Sequence, residues 1–145
     1  MSYWSTVYAG DAAQIIPLLG TDADVEDADF VIGSVELSGV HDVHLETLMQ
    51  MLGDPSLTFD SLAEPAVGSE DDAWVAYRMK PAFAALFAAL GEQQIADLVP
   101  RWLQALGDRP NADSIAGCKE QLGQLVEVCK TAQQRGADIV FSCWS

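Results

Sequence analysis

Basic residues are scarce in this sequence. Seven Lys and Arg stand against 22 Asp and Glu in 145 residues, a net charge of −15. Nucleic acid and anionic membrane surfaces are held by Lys and Arg that displace counterions, so neither is an expected partner. Cysteine occurs three times, at Cys118, Cys129 and Cys143. The number is odd and no CxxC pair exists, which argues against a disulfide framework and suits a reducing compartment. The longest apolar run, near residues 82–90 (AFAALFAAL), falls far short of the ~20 residues of a transmembrane helix. The opening MSYWSTVYAGD has neither the basic n-region nor the apolar core of a signal peptide. The expected location is the cytoplasm.

Motifs that carry chemistry are missing as well. There is no GxSxG, GxGxxG, P-loop or HExxH, hence no phosphate cradle, nucleophile elbow or zinc-protease helix. The two histidines, His41 and His44, lie three apart in HDVH with Glu46 close behind. That spacing puts both on one side of a helix, but a metal needs three or four converging ligands, and no third is indicated. The run Asp22, Asp24, Glu26, Asp27, Asp29 starts like a calcium loop. Counted from Asp22, however, the sixth place holds Asp27 where an EF-hand needs Gly, and the twelfth holds Gly33 where it needs Glu. No metal and no cofactor is therefore expected. A serine nucleophile needs a base, and the only histidines sit together. Cys118 and Cys129 fall on an apolar helical face, where a thiol is usually inert. No catalytic residue is singled out.

Half of the residues are hydrophobic, which argues against disorder. A chain of this length fits one domain over residues 1–145 and can bury roughly 68–70% of its unfolded surface without a staple. Residues 3–8 (YWSTVY) are aromatic and β-branched and predict a first strand. Asp11 then caps a helix carrying Ala12, Ile15, Ile16 and Leu19 on one face, ended by Gly20. An acidic loop over 21–29 leads to a strand over 30–37. A helix over 41–52 presents Val43, Leu45, Leu48, Met49 and Leu52 as one stripe. Residues 54–72 predict a long loop, and residues 74–79 a strand.

The C-terminal half carries the stronger periodicity. Phe83, Leu86, Phe87 and Leu90 predict one helix. Ile95, Leu98, Val99, Trp102, Leu103 and Leu106 predict a second, kinked or restarted at Pro100. Ile115, Cys118, Leu122, Leu125, Val126, Cys129 and Ala132 predict a third, capped by Asp113 or Ser114 and ended by Gly136. Residues 138–144 (DIVFSCW) close the chain as a strand. Strands need partners for their backbone groups. The economical arrangement is an α+β fold: one small sheet that holds the first and last strands, with about five helices packed on one face. Trp4, Trp74, Trp102 and Trp144 belong to the core by spacing. Trp4 or Trp144 on the outer face of the sheet, beside acidic residues, would instead make a partner-binding spot.

The stretch WVAYRMKPAFAALFAALGEQQIADLVPRWLQAL, with the later CKEQLGQLVEVCKTAQQRGADIVFSCWS, resembles small acidic uncharacterised cytoplasmic proteins of bacteria. Some proteins of this size and acidity serve as immunity proteins to secreted polymorphic toxins. The resemblance covers the C-terminal half and transfers no functional residue. It implies a non-catalytic inhibitor acting by occlusion. The charge independently favours a basic protein partner, since opposite potentials speed encounter. The residues expected to meet it are the two clusters Asp22, Asp24, Glu26, Asp27, Asp29 and Glu70, Asp71, Asp72. A housekeeping interaction module and an enzyme with a carboxylate or histidine site fit the same residues.

Overall fold

The computed structural model describes residues 4–21, 23–38, 40, 42–64, 67–68, 74–107 and 109–144. Five strands form one sheet. They are β1 (Trp4–Gly10), β2 (Val31–Ser38), β3 (Val67–Gly68), β4 (Trp74–Met79) and β5 (Asp138–Trp144), in the order β2-β1-β5-β4-β3. Each neighbouring pair is antiparallel. The two terminal strands are neighbours, in register from Trp4 opposite Trp144 to Gly10 opposite Asp138. The α+β fold with both terminal strands in one sheet is thus present. Five α-helices accompany it: α1 (Ala12–Ile15), α2 (Asp42–Leu52), α3 (Pro81–Ala88), α4 (Glu92–Ala105) and α5 (Ala112–Arg135).

Side-chain alternation along the strands builds two cores. Val7, Ala9, Val35, Leu37, Ile139 and Phe141 face the layer of α2 to α5, where Leu48, Phe87, Val99 and Leu125 meet them. The alternate positions, Tyr8, Val140 and Ala76, are also apolar. They are covered from the other side by Ala12, Ile15, Leu19 and Val25. Helices all on one face is therefore not the arrangement found. Strands with apolar residues at consecutive positions have two faces to hide, and α1 with the turns after it hides the second. Residues 139–143 of β5 are buried without a break, as befits the strand at the centre of the sheet.

Local chemistry explains where elements start, and where they differ from expectation. Asp11 caps α1, its carboxylate accepting from the Ala13 N–H at 3.0 Å. The helix lasts only four residues before Pro17 falls in a 3-10 turn, Ile16–Leu18. The cap of α5 is Asn111 rather than Asp113 or Ser114. Its side chain accepts from Ser114 N–H, and the Ser114 hydroxyl bonds the Asn111 N–H in return, both at 2.9 Å. Gly136 ends α5 with φ 63°, a left-handed conformation that suits glycine. Helix α4 runs unbroken through Pro100. Residues 54–72 hold a 3-10 turn, Phe59–Ser61, and strand β3. The turn's Phe59 is buried and packs edge-on against Tyr77 and Phe141, so this is no bare loop. Val43 is 59% exposed and leaves the apolar stripe of α2. Among the described residues no single helix is long and apolar enough to cross a membrane.

Candidate functional site

The outer face of the sheet is a grid set by strand register. One row runs Ser34, Tyr8, Val140, Arg78, and the next runs Glu36, Thr6, Ser142, Ala76, Val67. The last runs from Ser38 across the backbone of residue 4 to Trp144 and Trp74. The segment from α1 to a 3-10 turn at Val25–Asp27 lies over the first row, held by Val25 and Leu19. Gly20 seats against Trp74. Its φ is +81°, and a Cβ there would come within 2.6 Å of the indole. Trp144 and Trp74 are both half-buried, with ring centroids 6.0 Å apart. Val67, opposite Ala76 in the neighbouring row, is 50% exposed. An aromatic on the outer face is thus found at Trp144, whereas Trp102 is core, its indole N–H donating to the His44 carbonyl at 3.0 Å.

The first acidic cluster borders this face. Asp24, Glu26, Asp27 and Asp29 are all exposed, while Val25 between them is buried and pins the turn. Burial pushes the Tyr8 phenol above its ordinary pKa, and the carboxylates of Glu26 and Glu36 push it the same way. Those two carboxylates stand on elements in contact with each other, the turn and β2. Glu36 is a residue that the sequence clusters miss. Its signal is the alternation SVELS, in which Ser34, Glu36 and Ser38 are exposed while Val35 and Leu37 are buried. The remaining cluster residues, Asp22, Glu70, Asp71 and Asp72, lie outside the described residues, as does His41. His44 is half-buried on α2. Among the described residues no three of His, Cys, Asp or Glu gather so as to hold a metal ion.

A second concavity lies where β4 ends, β5 begins and α5 meets α3. It is a cleft of about 570 Å³. Its rim carries Glu64, Arg78, Lys80 and Asp138, and its floor includes Met79, Ala84, Ala132 and Ile139, all buried. The Arg78 guanidinium donates to one oxygen of Asp138 at 3.0 Å, and the Ala12 N–H donates to the other at 3.0 Å. Backbone bonds from Glu64 N–H to the Arg78 carbonyl (2.9 Å) and from Lys80 N–H to the Leu62 carbonyl (2.8 Å) fix the rim. The sequence holds no motif for this cleft, because its parts come from segments as far apart as Glu64 and Ile139.

Compared with protein-family models, with curated proteins and with solved structures, the chain has no match. What the fold defines is a class: an α+β protein with a five-stranded antiparallel sheet and helices on both faces.

Proposed function

We propose that the protein is a non-catalytic binding protein, immunity-like in action, that neutralises a basic toxin or enzyme by covering it. The observation that carries this reading is that exposed carboxylates stand on two elements in contact with each other, the turn and β2. Asp24, Glu26, Asp27 and Asp29 from the turn, with Glu36 from β2, border a sheet surface bearing Trp144. Among the described residues the salt bridges are Arg78 with Asp138 and Lys130 with Glu127, so none of these five carboxylates has a basic neighbour in contact. Like charges held together raise the energy of the free protein. A basic partner relieves that repulsion and supplies charge-assisted hydrogen bonds. Half-buried indoles on the same sheet face suit the centre of an interface, where aromatics carry much of the binding energy.

The test is affinity capture from the native host, with the product of the adjacent gene assayed directly by surface plasmon resonance. Neutralising Asp24, Glu26, Asp27 and Asp29 to the amides should leave the circular dichroism spectrum unchanged. It should slow association several-fold and flatten the salt dependence of affinity, because rim charges act chiefly on encounter. Equal association rates and equal salt slopes for the two proteins would sink the electrostatic part of the proposal.

A further inference from the structure

We propose that the cleft between α3, α5 and the β4–β5 end of the sheet binds a small organic anion with a short apolar body. Its acid group would rest on Lys80 and its body on the floor of Ala84, Ala132 and Ile139. The volume, about 570 Å³, is that of a small-molecule site, and an apolar floor with a few polar groups at the rim is the usual construction of one.

Charge decides the sign of the ligand. Arg78 and Asp138 neutralise each other, and both oxygens of Asp138 are already engaged. Lys80 has no ion pair among the described residues and occupies the N-cap position of α3, where no side chain caps the first turn. The positive end of the helix and Lys80 thus lie at the same rim, and both favour an acid group there. Among the described residues Glu64 is the other charged side chain on this rim. The molecule as a whole repels anions, yet of its seven basic residues Arg78 and Lys80 line this cleft and Arg135 lines a concavity that shares Gly136, Ala137 and Asp138 with it. Acidic and basic residues are thus equal in number along this cleft, in a chain whose 22 acidic residues outnumber its 7 basic ones.

The experiment is a titration of the ¹⁵N-labelled full chain with three probes: octanoate, inorganic phosphate and n-octylammonium. Octanoate should shift the amides of Lys80, Ala82, Gly136 and Ala137 in a saturable way in the millimolar range. Lys80→Glu, an exposed change that leaves the core untouched, should weaken octanoate by about tenfold, the scale of one lost charge-assisted contact. Lys80→Arg should keep most of it. Phosphate binding as tightly as octanoate would show that the apolar floor contributes nothing. Preference for n-octylammonium would show that Glu64 sets the sign. Either result overturns the proposal, as does a failure of all three probes to saturate.

Discussion

Ser5 is completely buried in the middle of β1, and its hydroxyl has no hydrogen-bond partner among the described residues. It faces the helical layer, between Leu37 of β2 and Cys143 of β5. A buried hydroxyl without a partner costs its desolvation and returns nothing. Ser5→Ala removes that cost at the loss of one atom's packing, so it should raise unfolding stability by about 1 kcal/mol. The urea midpoint measures it, and a lower midpoint for the variant would mean that the hydroxyl is bonded after all. The thiols show a related effect without a deficit: Cys129 and Cys143 are buried and free, and a neutral thiol sits in an apolar core as a small hydrophobe. The expected shielding of the cysteines is found at Cys129 and Cys143, with Cys118 the half-buried exception.

Among the elements, α5 spans 24 residues and packs against α3, α4 and β2 as well as its own strand neighbours. Its first turn is mostly exposed, so its start depends on the reciprocal cap between Asn111 and Ser114 more than on burial. Asn111→Ala should therefore cost about 0.5–2 kcal/mol, with the loss confined to the first turn in hydrogen exchange. Unchanged protection of the amides of residues 112–116 would show that packing alone holds the helix start. Helix α4 tolerates Pro100 for a complementary reason. Ile95, Leu98, Val99, Trp102 and Leu103 on both sides of the proline are buried, and that burial outweighs the missing backbone bond.

At the scale of the whole molecule, alkaline pH is the condition that exposes the buried acids. Burial pushes the Cys129 thiol up to about 12 and the Cys143 thiol, also chiefly by burial, up to about 11. In the unfolded chain both titrate near 9. A folded pKa above the unfolded one gives stability that is complete below the unfolded value and lost as pH rises towards the folded one. Stability should therefore hold up to about pH 9 and then fall by as much as about 1.4 kcal/mol per pH unit for each thiol that ionises only on unfolding. The phenols of Tyr8 and Tyr77, raised by burial, act in the same direction at higher pH. Denaturant midpoints from pH 7 to 11 check this. The slope above pH 9 should be shallower in Cys129→Ala, and parallel curves for the two proteins would contradict it.

The chain's own pattern determines much of this protein. The periodicity of Phe83 to Leu90, of Ile95 to Leu106 and of Ile115 to Ala132 places the three C-terminal helices, because a core-facing stripe repeats within a dozen residues and is local. The strand at Asp138–Trp144 and the N-cap at Asp11 are local in the same sense. The acidity and the exposed position of Asp24, Glu26, Asp27 and Asp29 also follow from composition, since carboxylates without partners stay in water. Other features needed the tertiary structure. Phe59 joins the core through Tyr77 and Phe141, contacts that no local pattern encodes, so its segment carries only the polar look of a loop. Glu36 joins the outer face near the turn because β2 pairs β1 in the register that sets Glu36 opposite Thr6 and itself contacts the turn. The cleft of Arg78, Lys80 and Asp138 arises from strand order, which sets β4 beside β5 and gives Asp138 both Arg78 and the Ala12 N–H as partners. Sequence periodicity records which face of an element is buried. Which elements meet, and hence which charges share a surface, is decided only when the whole chain closes its sheet.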